Sequence, residues 1–297
     1  MRQTTQSPSA FSPAPLTIKS EPLTAGLYLV ATPIGNLRDI TIRALDILAS
    51  ADHILAEDTR QSRKLLQAYD IDASLTAYHD HNAAKRVPKL VDTIKDGASI
   101  ALISDAGTPL VSDPGYKLAR AAIDADLDVF AIPGASAVLT GLVTSGLASD
   151  AFYFGGFLPP KSGARRTSIA ELKNMRATMI FFESAGRLHA TLTDLFSELG
   201  EREIVIAREL TKKYEEIKRG YLSSLIDELK DTKLRGEIVL MVGSSTDAEK
   251  WDEATIDQAL KDLIGDLGVK RASEEVANLS GHAKRDIYKR ALQIKDV

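Results

Sequence analysis

Ser99–Gly115 reads SIALISDAGTPLVSDPG. Its first five residues are a short apolar run, closed off by Ser104, Asp105, Gly107 and Pro109. Such a run predicts a strand buried on both faces that stops in a loop. Four other runs repeat the pattern. Gly26–Thr32 (GLYLVAT) ends in Pro33-Ile34-Gly35-Asn36, and His53–Ala56 ends in Glu57-Asp58-Thr59-Arg60. Thr76–Tyr78 ends in His79-Asp80-His81-Asn82, and Asp128–Ile132 ends in Pro133-Gly134-Ala135-Ser136. Helical patterns lie between them, beginning with Ile40–Ala49 behind Asp39. Strands spaced by helices predict βαβ units and a parallel sheet. Ligands of such sheets sit outside the carboxyl ends of the strands. Gly and Pro also punctuate ordinary loops. Five such loops on one predicted edge carry more weight than any one of them.

Downstream the text changes. Between about Ala151 and Gly243 the strand patterns are Ala151–Phe154, Thr178–Phe182, Glu203–Arg208, Tyr214–Lys218 and Glu237–Val242. No crossover helix precedes Tyr214–Lys218, so that strand is expected to pair antiparallel and the sheet to be mixed. Ser244–Lys250 reads as a linker. Helical patterns follow at Asp252–Ile264, Ala272–Leu279 and Lys284–Leu292, the last two joined by Ser280-Gly281-His282 as in a helix-turn-helix. The expected organisation is therefore a disordered Pro/Ser-rich tail (1–25), an α/β domain (26–148), a second α/β domain (149–245) and a helical module (251–297).

Length and composition agree. A chain of 297 residues with 44% apolar and 26% charged residues is long enough for two globular domains. No run approaches the roughly 18 apolar residues of a membrane span, and residues 1–25 lack the apolar core of a secretory signal. The absence of cysteine excludes disulfides, thiolate metal sites and a cysteine nucleophile, and suits the cytoplasm. A net charge of −4 excludes a uniformly basic coat, though not a local basic patch. Neither GxGxxG nor GxxxxGK[ST] occurs. The loop Ser104–Gly115 holds Asp105 and Asp113 and no basic residue, so it repels a phosphate and tolerates a cationic or neutral ligand. Gly107 and Gly134 lack a Cβ and would let backbone approach that ligand. A molecule with an amine, a sulfonium and an adenine fits these terms, and S-adenosylmethionine is one.

Seven segments occur in one order: ATPIGNLRD (Ala31–Asp39), AEDTR (Ala56–Arg60), YHDHN (Tyr78–Asn82), SDAGTPLVSDPG (Ser104–Gly115), PGASA (Pro133–Ala137), GFLP (Gly156–Pro159) and FFES (Phe181–Ser184). The set closely resembles the RsmI family of bacterial 16S rRNA ribose 2′-O-methyltransferases, within the tetrapyrrole methylase superfamily. The resemblance covers about Gly26 to Gly243, and the remaining helices look like that family's C-terminal domain. The N-terminal extension carries no motif of the family. The resemblance implies a two-domain α/β fold with S-adenosylmethionine folded into the interdomain cleft, and a homodimer. It implies cofactor contacts at Pro33, Ile34, Gly107, Thr108, Pro109, Val111, Ser136 and Ala137, and on second-domain strands at Phe182 and Glu237. The implied product is a cytidine methylated on its ribose 2′ oxygen in the decoding centre, and the implied partner is the small ribosomal subunit.

Methyl transfer from a sulfonium releases a neutral thioether and needs no acid. A ribose hydroxyl is a weak nucleophile, so a base or a cation beside the developing alkoxide helps. Asp58, Arg60, His79, His81 and Lys161 lie on the expected ligand edge. Arg60 and Lys161 are the expected electrostatic aids, and His81 the direct proton acceptor if one is used. His79 and His81 invite a metal, but no third ligand is placed. Asp58 and Arg60 could instead form a structural ion pair. Lys161–Arg176 (KSGARRTSIAELKNMR) carries five Lys/Arg and one Glu, so Arg165 and Arg166 are expected to meet RNA phosphates; a solvated basic face is the plainer alternative. Two rival functions stay open: a small-molecule, tetrapyrrole-type methyltransferase, and a non-catalytic rRNA-binding assembly factor.

Overall fold

The computed structural model describes residues 17–230, 232, 234–245, 251–280, 282 and 284–295, with the side chains of all but Asp80, His81, Asn278 and Lys295. Five of its strands are short and apolar: β1 (Gly26–Val30), β2 (His53–Ala56), β3 (Leu75–Ala77), β4 (Ser99–Ile103) and β5 (Val129–Ile132). All five residues of β4 are buried. A strand with no polar face must be covered on both sides, and only crossover helices do that. The strands form one parallel sheet in the order β3-β2-β4-β1-β5.

Helices α1 (Ile42–Ser50) and α2 (Thr59–Ala68) pack with Tyr28, Val30, Ile54 and Ile103 on one face. Helices α3 (Asp80–Lys95) and α4 (Tyr116–Asp124) pack with Leu27, Leu55, Ile100 and Leu102 on the other. The chain thus leaves β1 toward β2 on one side and leaves β4 toward β5 on the other. β1 and β4 are neighbours, which makes the space beyond their ends a topological switch point. α5 (Ala137–Ser145) follows β5.

The second sheet is mixed, as expected. β6 (Phe152–Phe157) runs parallel to β7 (Thr178–Ser184), and β10 (Glu237–Val242) runs antiparallel to β7. The order is β6-β7-β10-β8-β9, with β8 at Glu203–Arg208 and β9 at Glu216–Tyr221. The last strand before α8 (Leu222–Leu229) begins two residues later than the sequence suggests. A turn holds Thr211–Glu215 instead: the Thr211 N–H donates to Glu215 Oε2 at 2.6 Å and the Glu215 N–H to the Lys212 carbonyl at 3.1 Å. α6 (Ser162–Ala170), α7 (Leu188–Leu199) and α8 bury their apolar faces with Met179, Phe181, Ile206 and Leu240.

Contacts divide the chain into two units: 1–144 with 207–216, and 145–206 with 217–297. In the C-terminal part, α9 (Glu253–Ser280) is broken at Gly268 (φ 71°) and packs on α10 (Lys284–Lys295) through Leu260, Val276 and Ile287. Residues 17–25 hold to α1: the Lys19 N–H donates to Asp46 Oδ1 at 2.8 Å, and Ile18 and Leu23 join its core. The rest of the stretch read as a tail (1–16) and most of the expected linker (246–250) lie outside the described residues.

Gly155 in β6 lies against the buried ring of Phe181, where an added Cβ would come within 2.5 Å of Cε1. Overpacking a rigid aromatic core costs about 1–3 kcal/mol. Gly155→Ala should lower unfolding stability by that amount in a denaturant titration, whereas Gly163→Ala, in α6 with nothing within 4 Å of the added Cβ, should not lower it.

Candidate functional site

Register places the five strand ends of the first unit in one row. Val30 lies beside Ile103 and Ile132, and Ala56 beside Ile103 and Ala77. Each loop named from the sequence therefore starts at the same level on the same edge. Three of them are tied together. Thr32 and Gly107 exchange two backbone hydrogen bonds, of 2.8 and 3.1 Å. The buried Thr32 hydroxyl donates to the Ser104 carbonyl at 3.2 Å, and the Thr108 hydroxyl to the Ala135 carbonyl at 3.4 Å.

Pro33, Ile34, Gly107, Thr108, Pro109 and Ser136 all belong to this knot. Val111 is exposed at its rim, and Ala137 opens α5. Ser136 Oγ accepts the Leu139 N–H at 3.4 Å, which caps α5. The glycines also serve loop packing. A Cβ on Gly107, whose φ is +83°, would meet Ile34 Cγ2 at 3.3 Å, and one on Gly134 would meet the Ala31 Cβ at 2.9 Å. Their missing side chains let one loop approach the next. Leu110 and Ser112 also hold positive φ, 72° and 64°, a conformation that non-glycine residues keep only where surrounding bonds enforce it.

The edge is acidic. Burial pushes the Asp113 carboxyl up to about 6; the charges of Glu57 and Asp105 push the same way, and the Ser104 hydroxyl opposes them. Asp105 Oδ1 also accepts the Asp58 N–H at 2.9 Å. Glu57 is a member of this cluster that sequence reading quoted without singling out.

Asp58 is a helix cap, not half of an ion pair: its Oδ1 accepts the Arg60 backbone N–H at 2.8 Å. Arg60 sits exposed in the first turn of α2, with no ion pair among the described residues. His81 lies in the first turn of α3, and its side chain is outside the described set. His79 precedes that helix, where its N–H donates to Asn82 Oδ1 at 3.1 Å. No group of three or more His, Asp or Glu side chains placed to hold a metal occurs among the described residues.

In the second unit, Phe182 packs edge-on between Phe154 and Phe157, with ring centroids 4.9 and 5.5 Å away. A bulge between Phe154 and Phe157 sets this up, with Gly156 at φ 61°. Glu237 is exposed on β10 opposite Ser184. Lys161 is exposed at the start of α6 and makes no ion pair among the described residues. Arg165 is a correction. It is buried and ion-paired with Asp194 at 2.6 Å, so it presents nothing to RNA. Arg166 is exposed but paired with Glu198 at 2.5 Å, and Arg176 donates to the Leu279 carbonyl. Much of the basic segment is thus engaged within its own unit.

A family model described as tetrapyrrole (corrin/porphyrin) methylases matches residues 26–226, and one described as the RsmI C-terminal HTH domain matches 251–295. The ribosomal RNA small subunit methyltransferase I of Mesorhizobium japonicum is 50% identical over 282 residues, 94% of this chain and 95% of that one. The protein of the same name from Halalkalibacterium halodurans is 45% identical over 269 residues, 88% of this chain and 93% of that one. Among solved structures, diphthine synthase superposes with a TM-score of 0.59 at 16% identity, over 74% of this chain and 90% of its own. A Thermus thermophilus uroporphyrin-III C-methyltransferase complexed with S-adenyl homocysteine gives 0.53 at 17%, over 73% and 97%. These distant structures share the fold.

Asp113 generates a pH test. The folded chain keeps this proton up to about pH 6, whereas the unfolded chain releases it near the ordinary aspartate value of 3.8. Between those values the folded state binds more protons, so stability falls as pH rises. Asp113→Asn should remove that fall. Its thermal midpoint should exceed wild type at pH 7 and converge with it toward pH 4; equal profiles at all pH values would contradict the shift.

Proposed function

The chain belongs to the tetrapyrrole methylase family and to its small-subunit rRNA methyltransferase I branch, and we propose that it transfers a methyl group from S-adenosylmethionine to 16S rRNA. The proposed product is a cytidine carrying the methyl on its ribose 2′ oxygen, in the decoding centre. One observation carries the reading: relatives named for rRNA methylation align over nine-tenths of the chain, C-terminal helices included. A tetrapyrrole enzyme would have no evident use for that last module. An assembly factor without catalysis would have no use for a cofactor edge.

The residues fit the cofactor in charge. Glu57, Asp105 and Asp113 suit a cationic ligand and disfavour a triphosphate. When bound, S-adenosylmethionine supplies an electrophilic methyl on a sulfonium. The protein's part is alignment, which converts an encounter between two molecules into an attack within one complex. The knotted loops around Thr32 and Gly107 would orient the cofactor. Phe182 and Glu237 are the further cofactor residues that the family resemblance implies. Arg60 and Lys161, both cations without an ion pair among the described residues, would stabilise negative charge growing on the 2′ oxygen or hold an adjacent phosphate. His81 is the candidate to take the proton.

RNA binding is assigned to Lys161 and to the C-terminal helices. We also read the protein as a cytoplasmic homodimer. Leu139 and Val143, four residues apart on α5, are 52% and 75% exposed and suit an apolar contact. No helix among the described residues is long and apolar enough to cross a membrane.

The test uses labelled S-adenosylmethionine and small ribosomal subunits that lack the modification. The expected result is label in 2′-O-methylcytidine after nuclease digestion. Label on a base, or none in RNA, would overturn the assignment. S-adenosylmethionine should also raise the melting temperature, as a ligand of the folded state does, while NADH and ATP should not. Arg60→Ala should slow single-turnover transfer at least tenfold with both substrates saturating. Full rates in both Arg60→Ala and Lys161→Ala, alongside an inactive His81→Ala, would transfer the role to the histidine.

A further inference from the structure

The segment between β6 and α6 reads Leu158-Pro159-Pro160-Lys161. Two consecutive prolines remove two backbone donors, which leaves the segment few N–H groups to bond its own carbonyls. Its carbonyls are held from outside. Arg187 Nη2 donates to the Leu158 carbonyl at 2.8 Å and to the Pro159 carbonyl at 3.2 Å. Arg165 Nη1 donates to the Pro160 carbonyl at 3.3 Å. Three successive carbonyls are thus held by two guanidinium groups.

Each guanidinium is backed by a buried carboxylate. Arg165 Nε donates to Asp194 Oδ2 at 2.7 Å, and the Ser162 hydroxyl donates to the same carboxylate at 3.0 Å. Arg187 Nε lies 3.3 Å from Glu183 Oε1 as a charge contact. Glu183 Oε1 accepts the Ser184 N–H at 2.7 Å, and its Oε2 accepts the Thr191 hydroxyl at 2.6 Å. Only 1% of the Glu183 side chain and 5% of the Arg165 side chain reach solvent. Buried charges are costly, and an apolar core of the same volume would often be as stable. Core stability alone does not account for one buried pair and a second buried carboxylate under one short loop.

The loop delivers Lys161 to the N-cap of α6, with no side-chain cap bond. That position favours Ser, Thr, Asp or Asn, and the helix dipole disfavours a cation there. Local stability therefore argues against lysine at this place, yet the surroundings fix it.

We propose that Arg165–Asp194 and Arg187–Glu183 form a double clamp whose task is to position Lys161 for methyl transfer. These four are positioning residues, and they act through the lysine rather than on the substrate. The inference rests on the reading of the chain as an rRNA methyltransferase that uses Lys161. Lysine carries a point charge on a long stem, so its field at a reacting oxygen depends on where its backbone is held.

A double-mutant cycle tests this on full-length protein, with labelled S-adenosylmethionine and unmodified small subunits under single-turnover conditions. Arg187→Lys keeps the charge but cannot hold two carbonyls and Glu183 together. It should cut the rate about tenfold, and Ser162→Ala, a milder change at the other clamp, a few-fold. Cofactor affinity, read by the thermal shift, should stay at the wild-type value. In the Lys161→Ala background both changes should have no further effect. Multiplying losses in that background would overturn the clamp and leave the methyltransferase reading intact. A fully active Lys161→Ala would overturn the clamp together with the lysine's role. A wild-type protein that labels no RNA would overturn the reaction itself. If Arg187→Lys fails to fold, the cycle stands on Ser162→Ala, for which an unchanged rate overturns the proposal.

Discussion

The pair of hydrogen bonds between Thr32 and Gly107 is the constraint on which the first unit's edge depends. Parallel strands end without partners for their last backbone groups, and at a switch point the chains leave in opposite directions. Those groups must be satisfied by something, because a buried unpaired N–H or C=O costs about 1–3 kcal/mol. Here the two loops satisfy each other. The bridge extends pairing beyond β1 and β4 for one further step, and it needs Gly107 at φ +83° to do so. The Thr32 and Ser104 hydroxyls then donate to carbonyls of the same loop, to Ser104 and Gly107 respectively. The result is a stiff edge in which side chains such as Ile34 and Pro109 are buried.

Much of this edge was legible in the sequence, for a physical reason. A strand buried on both faces must be apolar throughout, and it must stop where Gly, Pro or charge begins. SIALI followed by SDAG states both conditions in nine residues. The parallel order and the common level of the strand ends follow from βαβ connectivity. What the edge does with its glycines was not legible, because a missing Cβ gives no sign of which neighbour needs the space. The start of β9 was hidden for a similar reason. Thr211–Glu215 is closed by the Glu215 carboxylate on the Thr211 N–H, a bond of side chain to backbone that no periodicity records.

Arg165 and Arg166 show the limit of reading charge from spacing. Both stand in a basic run, adjacent and chemically identical. One is buried on Asp194 and the other lies on the surface beside Glu198. Their partners come from α7, about thirty positions away in the chain, so local composition could not separate them. A basic run marks an RNA surface only to the extent that its charges lack acids from neighbouring helices. By that criterion Lys161 counts and Arg165 does not.

Two groups of buried polar residues lie beneath loops. Thr32 and Ser104 lie under the first unit's edge, and Arg165, Glu183, Thr191 and Asp194 lie under the double-proline segment. Displacement at a methyl sulfonium expels a neutral thioether, so strong acids or metal ions have little to contribute. Geometry is the main quantity left to control, and reacting atoms must be held within a few tenths of an ångström over an ordered path. Apolar contacts slide at little cost, whereas a hydrogen bond bent or stretched in a dry interior loses most of its worth. A protein whose contribution is alignment should therefore concentrate its interior polarity where loops are to be fixed. The loop carbonyls held by Arg165, Arg187 and Thr32 follow that rule.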